Sequence, residues 1–385
     1  MKMLRVMAAM TLFLLLALPG AAQETMRLYV EEGAVSDGQA QRMIASLCLA
    51  MDGVKWEMTA DGQALSELVL AGCAPDLAVC RPETARTWAR EGLLLPLQTH
   101  IPDQKRMQRQ VLDLCIHDED LFMAPLIARH RHMAVNRVLF EQAGLKDLLN
   151  GQMYPVWYPA QFYRILEEFM MRGITGMDIW HAKAGSSAAI ETMVQAIGGG
   201  ALLGEDGETC RAGSGEIITG VQWLADSVHE GLIGRQETRE EALARFMQGE
   251  TAIYIDWTQE NEKRMESLFP ERAHDIVTAP YPSAEGQAVR SFDLVGVCAF
   301  AGEDVRDAQL QRACALLYAA AQDILGPQGI WQDGALWPAS LDGSDAGATL
   351  RSLMCGAVNE AVETGNAAEA LLRVQTVMDA LGAIQ

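Results

Sequence analysis

Short apolar runs alternate with amphipathic segments along most of this chain, and that alternation restricts the folds it can adopt. The run MRLYV at residues 26–30 precedes a helical pattern at 37–51, and VKWEM at 54–58 precedes a second helical pattern at 64–70. Strands that alternate with helices form βαβ units, which build mostly parallel sheets flanked by helices. We therefore predict an α/β fold.

The alternation continues toward the end of the chain. Residues 132–145 are typical of a strand followed by a helix, which ends at Gly144. The last helical segment begins with Asn366 and Glu369 at the spacing of a capping box. A strongly amphipathic helix is predicted at 215–232. Its apolar face consists of Ile217, Ile218, Val221, Leu224, Ala225 and Val228.

Length and composition indicate a globular protein of two lobes. The chain has 385 residues, more than a single ordinary core contains, and 50% of them are apolar whereas 21% are charged. The sequence contains no solenoid repeat. Two α/β lobes are therefore the simplest arrangement.

The N-terminus has the three parts of a secretory signal peptide. Lys2 and Arg5 form a basic region, residues 7–18 form an apolar run, and small residues follow up to Ala22. We predict that residues 1–22 are a cleaved leader and that the protein is periplasmic or extracellular. The alternative is an uncleaved membrane anchor, although the apolar run is short for a bilayer span. No lipobox cysteine lies at the cleavage point.

The charge of the chain makes nucleic acid a poor partner. The net charge is −21, and without the leader 28 basic residues face 51 acidic residues, which gives −23. Such a negative potential repels phosphate backbones, so we predict no nucleic-acid binding.

Eight cysteines leave two redox states open. An exported chain with an even number of cysteines is able to form disulfides, but several of these residues lie in apolar segments that favour buried free thiols. No pair has CxxC spacing, so no zinc or redox motif is predicted. The cysteines are Cys48, Cys73, Cys80, Cys115, Cys210, Cys298, Cys314 and Cys355.

Five segments, taken in order, resemble a known family. They are residues 75–97, 124–145, 197–233, 244–261 and 323–340. The fourth, ARFMQGETAIYIDWTQEN, is similar to the family pattern F-x-x-G-x-A-M…G-x-W, with Ile253 in place of Met and Asp256 in place of Gly or Pro. Together the segments resemble the extracellular solute-binding proteins of ABC importers, family 1, which includes maltose-binding protein.

The resemblance implies a two-lobe periplasmic-binding-protein fold of type II. Each lobe is then a mostly parallel sheet flanked by helices, and several chain segments form the hinge. We expect these crossings near residues 126–134, 279–291 and 333–338. The expected lobes are 23–128 plus 290–333 for the N-terminal lobe and 129–285 plus 336–385 for the C-terminal lobe. A ligand lies between them, and the lobes close around it.

The strand predicted at residues 252–256 ends in Asp256 and Trp257, where an open parallel sheet binds its ligands. A carboxylate accepts hydrogen bonds from sugar hydroxyls or pairs with a cation, and an indole offers a flat face to a sugar ring or a cationic head. The resemblance implies that Trp257 faces the ligand, in which case Trp257→Ala weakens binding and leaves the fold intact. The alternative is that Trp257 packs in the core of a lobe.

Further candidate ligand-binding residues follow other predicted strands or lie at the expected crossings. Arg129 and Arg131 are the strongest of these, because a guanidinium at a hinge edge donates several fixed hydrogen bonds. For the remaining candidates, a solvated surface role is an equally good interpretation. They are Glu31, Glu32, Arg81, Tyr281, Trp331 and Trp337.

The sequence has no motif of an enzyme or of a cofactor site. His130 and His132 have a spacing that is able to ligate a metal, but the flanking arginines repel a cation, so we predict no metal and no cofactor. G-x-S-x-G, H-E-x-x-H and P-loop motifs are absent. We therefore predict that the protein is not an enzyme.

The residues and the resemblance together predict an exported binding protein, expected to be a monomer, that passes a small solute to the permease subunits of an ABC importer. A sugar or oligosaccharide is favoured, because three candidate indoles are able to line an extended groove. Alternatives with the same fold are a polyamine, an organic phosphate or a peptide as ligand, or a role as a sensor subunit. A glycoside-active enzyme is a further alternative, disfavoured by the missing motifs.

Overall fold

The computed structural model describes the chain from Glu24 to Gly382 with several gaps. It covers residues 24–31, 34–51, 53–59, 65–102, 104–149, 156–183, 187–204, 209–302, 304–326, 330, 335–338 and 345–382. The predicted leader therefore lies outside the described residues.

The N-terminal part of the chain alternates strands with helices, as predicted. Its elements are β1 (Glu24–Val30), α1 (Asp37–Ala50), β2 (Val54–Met58), α2 (Leu65–Leu70), β3 (Leu77–Cys80), α3 (Pro82–Arg90), a 3₁₀ turn (Gln104–Arg106), α4 (Arg109–Cys115), β4 (Ile116–His117) and β5 (Asp120–Leu121). Between β4 and β5, Asp118 and Glu119 have φ angles of 48° and 71°, the left-handed values of a tight two-residue hairpin turn. A long strand, β6 (Ala124–Asn136), then leads into the rest of the molecule.

The middle of the chain continues the same pattern after β6. Its elements are α5 (Arg137–Gln142), a 3₁₀ turn (Lys146–Leu149), α6 (Pro159–Met171), β7 (Thr175–Trp180), α7 (Ala188–Gly198), α8 (Gly215–His229), β8 (Ile233–Gln236), α9 (Arg239–Met247), β9 (Thr251–Trp257), α10 (Gln259–Leu268), α11 (Pro270–Ala273) and β10 (Ile276–Ala279). A second long strand, one short strand and three long helices follow. These last elements are β11 (Val289–Ala299), α12 (Asp304–Leu325), β12 (Ala335–Pro338), α13 (Asp345–Thr364) and α14 (Ala367–Gly382).

Among the described residues, ten strands join into one sheet in the order β2–β1–β3–β11–β6–β9–β7–β8, with β12 beside β11 and β10 beside β6. Strands β1, β2 and β3 are parallel, and so are β7, β8 and β9. The two long strands, β6 and β11, run antiparallel to each other at the centre. Two parallel half-sheets are thus joined through an antiparallel pair.

The buried apolar side chains form two separate cores. One core draws on residues 26–128 and 292–330, and the other on residues 133–289 and 350–378. We call these the first core and the second core. Each contains one parallel half-sheet and its helices, so the molecule has two lobes.

Strand β6 passes from one core to the other. Its residue Ala128 belongs to the first core, and Met133 belongs to the second. The four residues between them, 129–132, are only half-buried. This change of core falls inside the crossing predicted at 126–134.

Close packing of helices α7 and α8 explains two of their glycines, Gly198 and Gly220. A Cβ atom on Gly198 would lie 1.9 Å from the carbonyl oxygen of Glu216, and one on Gly220 would lie 1.9 Å from that of Val194. Helices α7 and α8 therefore touch backbone to backbone, which a larger side chain would prevent. Gly199 ends α7 with a left-handed φ of 75°.

All eight cysteines are free thiols in the structure. Six are buried, and Cys48 and Cys73 are exposed. Burial raises the pKa of the Cys115 and Cys314 thiols well above the usual range. Buried thiols of this kind pack as small apolar side chains and react slowly.

Most predicted elements coincide with observed ones, whereas helix α13 was not expected from the sequence. Its helical pattern is weaker than that of α8, because polar and small residues interrupt its apolar face. The expected lobe boundaries at residues 128 and 290 stay a prediction. None of the helices that the structure describes is long and apolar enough to cross a lipid bilayer.

Candidate functional site

The half-buried segment of β6 between the two cores lies where several strand ends meet. Glu31 and Arg81 directly follow strands β1 and β3 on one side of it. Strand β9 ends beside it on the other side, where His132 pairs with Trp257. Carboxyl ends of parallel strands are the usual place for ligands, which makes this position the candidate site.

Seven charged side chains gather at this position, and we call them the crossing cluster. Five of them were predicted from the sequence as ligand-binding residues: Glu31, Arg81, Arg129, Arg131 and Asp256. Arg239 and Asp293 complete the set. The crossing cluster is therefore Glu31, Arg81, Arg129, Arg131, Arg239, Asp256 and Asp293.

Asp256 is 1% exposed and binds two arginines. Its Oδ1 lies 2.6 Å from Nη1 of Arg131, and its Oδ2 lies 2.5 Å from Nε of Arg239. The Asp256 main-chain carbonyl accepts a hydrogen bond from Nδ2 of Asn261 at 2.9 Å. A buried carboxylate needs such partners, since burying the charge without them costs roughly several kcal/mol of folding free energy.

Arg131 connects the second core to the other long strand. Arg131 binds Asp256 and also Asp293 of β11. Its Nε donates a hydrogen bond of 3.0 Å to Oδ2 of Asp293, and its Nη2 forms a shorter ion pair with the same oxygen. Burial lowers the pKa of Arg131, but the two carboxylates outweigh this effect and raise its pKa above the usual value. The guanidinium is therefore held in place by groups from two different strands.

Glu31 and Arg81 bind each other at the ends of two parallel strands. Nη1 of Arg81 lies 2.6 Å from Oε1 of Glu31, and the Arg81 main-chain N–H donates to Oε2 at 2.7 Å. The Thr84 hydroxyl also donates to Oε2, at 3.2 Å. The structure thus brings these two predicted residues together as an ion pair.

Arg129 has a different environment. Its Nη2 donates a hydrogen bond of 2.7 Å to the carbonyl of Ala34, in the loop after β1. The pKa of Arg129 is lowered, mainly by burial. The negative charges of Asp293 and Glu260 raise this pKa, and the positive charges of Arg81 and Arg131 lower it further. Arg129 is therefore a partly desolvated cation that nearby carboxylates do not fully offset.

The two histidines of β6 alternate with its arginines, so they face the other side of the strand. The His130 ring lies 6.3 Å from that of Phe292. Burial, and then the charges of Arg290 and His130, lower the pKa of His132 to about 4. Among the described residues, no group of three His, Cys, Asp or Glu side chains is placed to hold a metal ion.

Trp257 lies in the second core and is 2% exposed. Between the pairs His132–Trp257 and Ala134–Tyr254, strand β9 has one more residue than β6, which is a β-bulge. Trp257 and Tyr254 therefore both reach Phe246, at ring distances of 5.5 and 5.9 Å. This position fits the core-packing alternative, and the role of Trp257 in ligand binding stays a prediction.

One edge of Trp257 borders a cavity of about 270 Å³ in the second lobe. The cavity lies between α10, α11 and β10, and its other lining residues are Glu262, Met265, Glu266, Pro270, Ala273, His274, Ile276 and Thr278. It opens next to helices of one lobe, whereas the crossing cluster lies between both lobes.

The remaining predicted residues have separate positions. Tyr281 is fully buried, and its hydroxyl donates to the carbonyl of Ile255 at 2.7 Å; burial raises the pKa of that hydroxyl above its usual range. Glu32 and Trp331 lie outside the described residues. Trp337 belongs to β12 by its backbone, and its side chain is also outside the description. Their ligand contacts stay predictions.

Two residues of the crossing cluster, Asp293 and Arg239, were not predicted from the sequence. Asp293 stands out as a lone acid within the apolar run SFDLVGVCAF, which was a usable signal. Arg239 had no such signal, because it is one of several charged residues at the start of α9. Its placement depends on how α9 packs beside β9.

No protein-family model matches the chain, and no curated protein matches it either. Solved structures do. The sugar-binding protein MalE from the phytopathogen Xanthomonas citri is similar with a TM-score of 0.74 at 14% identity, over 94% of this chain and 98% of that chain. A putative oligosaccharide periplasmic-binding protein from Synechococcus sp. MITs9220, in complex with zinc, has a TM-score of 0.69 at 16% identity, over 93% of this chain and 99% of that one.

A third similar structure is the GacH receptor of Streptomyces glaucescens, solved unliganded and with acarbose. Its TM-score is 0.68 at 13% identity, and the match covers 92% of this chain and 97% of that chain. All three matches extend over nearly the whole of both chains. The predicted two-lobe periplasmic-binding-protein fold is thus confirmed, and so is the resemblance in fold to maltose-binding-protein-like proteins.

Proposed function

We propose that this protein is a solute-binding protein that captures a small solute, preferably a sugar or oligosaccharide, between its lobes and delivers it to an ABC-type permease. The observation that carries the proposal is the whole-chain match to binding proteins of this fold, several of which are described as binding sugars. Carbohydrate capture is consistent with the crossing cluster, where guanidinium donors and carboxylate acceptors lie close together, the groups that recognise hydroxyls.

The proposed mechanism is non-covalent. A solute that contacts both lobes makes more contacts when they are close together, so its binding energy favours the closed arrangement. Strand β6 joins both cores through four half-buried residues, 129–132, and is therefore a natural pivot for such a movement. The similar structures are binding proteins, which supports a role without catalysis.

Export is part of the proposal. The N-terminal pattern of residues 1–22 supports cleavage of a leader and release of the protein, which we propose to be a monomer, into the periplasm or the extracellular space. There the net negative charge keeps the protein soluble. The partners proposed are the permease subunits of an importer, which receive the solute.

A direct experiment is to purify the protein from its native host without refolding and to identify any released small molecule by mass spectrometry. Sugars, polyamines, organic phosphates and peptides are then tested for a rise in Tm, because a bound ligand stabilises the folded state by mass action. We expect a sugar or oligosaccharide to be released and to raise the Tm. Release of a peptide or polyamine, with no response to any sugar, would overturn the carbohydrate proposal.

A further inference from the structure

Arg129 differs from the other three arginines of the crossing cluster in its partners. Arg81, Arg131 and Arg239 each form an ion pair with a carboxylate of the cluster. Among the described residues, Arg129 makes no ion pair, and its observed hydrogen bond goes to the neutral carbonyl of Ala34. Its other guanidinium donors are therefore available to a molecule that enters from outside.

The position of Arg129 places those donors between the two lobes. The groups that act on it electrostatically come from both sides of the crossing. Arg81 follows β3 of the first lobe, whereas Glu260 lies in the first turn of α10 of the second lobe. Arg129 thus lies at the boundary of the two lobes, whereas the cavity beside Trp257 lies within the second lobe alone.

Among the described residues, the crossing cluster has one arginine more than it has carboxylates. It contains four arginines against three carboxylates, and each carboxylate is already bound by Arg81, Arg131 or Arg239. Glu260 is exposed, so water and salt screen its effect on Arg129. A half-buried guanidinium without a paired carboxylate is unfavourable, and a ligand with a negative charge would relieve this cost.

We propose that the solute carries an anionic group, a carboxylate or a phosphate on a saccharide, and that the Arg129 guanidinium binds this group. The inference rests on the proposed function and names its substrate class. A guanidinium binds carboxylate and phosphate oxygens through two parallel hydrogen bonds, which a neutral hydroxyl does not match. A uronic acid or a sugar phosphate thus fits the cluster better than the corresponding neutral sugar.

The test is a comparison of matched sugars by isothermal titration calorimetry. The probes are glucose with glucuronate and glucose 6-phosphate, galactose with galacturonate, and the 1,4-linked disaccharides of the two uronates with their neutral counterparts. We expect at least one acidic probe to bind about tenfold or more tightly than its neutral counterpart. The two acid types separate a carboxylate from a phosphate as the recognised group. The preference should shrink as NaCl is raised, because salt screens the charge interaction.

Variants of Arg129 connect the preference to this side chain. Arg129→Gln keeps a hydrogen-bond donor for Ala34 and removes the charge, so the acidic probe should lose its advantage while neutral sugars are little affected. Arg129→Lys keeps the charge and should retain part of the advantage. Arg312→Gln removes an exposed charge on α12, outside the crossing cluster, and serves as the matched control. Thermal unfolding without ligand verifies that each variant is folded.

The outcomes separate this inference from the proposed function. If neutral sugars bind as tightly as or more tightly than their acids, the inference is wrong and the proposed function stands. It is also wrong if an acidic probe keeps its full advantage in Arg129→Gln, since a purely structural role of Arg129 would give that result. If every saccharide fails, neutral and acidic, and a polyamine or peptide binds, both proposals are overturned.

Discussion

Two buried aspartates of the second lobe each bind an arginine, but they join different parts of the molecule. Asp178 on β7 and Asp256 on β9 are each 1% exposed. Asp178 accepts hydrogen bonds from Nε of Arg245 at 2.8 Å and from the Thr251 hydroxyl at 2.8 Å, both of the second lobe. Asp256 instead binds Arg131, which lies on the crossing strand between the lobes.

The difference concerns what each carboxylate holds together. The partners of Asp178 come from β8, α9 and β9, so it joins elements of one lobe. Gly234 makes room for it, because a Cβ there would lie 2.1 Å from Oδ1 of Asp178. Asp256 and Asp293 share Arg131, so their pairing also sets how β9 sits against β6 and β11. Burial alone therefore does not distinguish a residue that stabilises a lobe from one that positions the lobes.

The largest effect is expected from Asp256→Asn. The change leaves Arg131 and Arg239 without their shared buried carboxylate, and removing one partner of a buried ion pair costs about 3–5 kcal/mol. Urea unfolding should show this loss, and solute affinity should fall as well. A loss of stability with unchanged affinity would mean that Asp256, like Asp178, only stabilises one lobe. The proposed difference between the two aspartates would then be wrong.

Asp178→Asn should destabilise the protein somewhat less, by about 3 kcal/mol. Its main cationic partner, Arg245, is 34% exposed and is able to find water when the carboxylate is lost. Because all partners of Asp178 lie within one lobe, the folded variant should bind solute as the wild type does. Urea unfolding measures the first effect, and calorimetry with the solute identified for the wild type measures the second. A clear drop in affinity would contradict the proposed division of roles.

His132 makes the crossing strand sensitive to pH. Its pKa is about 4 in the folded protein, below the usual value of 6.5, so the unfolded chain binds a proton at a higher pH than the folded protein does. Folding stability should therefore fall as the pH falls from 6.5 to 4, by as much as ~3 kcal/mol. The His132→Gln variant should lose this part of the pH dependence in urea unfolding. His274→Gln, at an exposed histidine, is the control and should keep it.

A smaller effect is expected from Arg131→Lys. A lysine ammonium is a single point charge and is unable to span Asp256 and Asp293 as the guanidinium does, so stability should fall by about 1–2 kcal/mol. Arg245→Lys, beside Asp178, should cost less, since that arginine is more exposed. Equal losses in the two variants would show that bridging two strands adds nothing to the role of Arg131.

The sequence predicted the architecture well because it depends on local periodicity. Period-2 and period-3.6 patterns marked β2, α2 and α8, whereas the crossing strand was implied by the family resemblance. Local patterns do not show which distant side chains meet. Arg131 is 125 residues from Asp256 and 162 from Asp293, so these contacts depend on the register of three strands.

Five members of the crossing cluster were named from the sequence, and their role in ligand binding stays a prediction. Strand ends indicated Glu31, Arg81 and Asp256, since parallel strands place their carboxyl ends at one edge, and the expected crossing indicated Arg129 and Arg131. Sequence periodicity does not give the distances between these side chains. It therefore predicts neither their ion pairs nor the different environment of Arg129. The orientation of Trp257 depends on a one-residue bulge, which the sequence of β9 did not reveal.

The discontinuous first core has a consequence for synthesis. Residues 26–128 complete their packing only with residues 292–330, which a ribosome adds after residues 133–289 of the second lobe have been made. The N-terminal portion of a nascent chain consequently waits with open strand edges on β3 and β6, where β11 later inserts. Such late, long-range pairing slows folding and exposes the unfinished chain to aggregation. Chains truncated before residue 289 should accordingly depend on chaperones far more than the full-length protein.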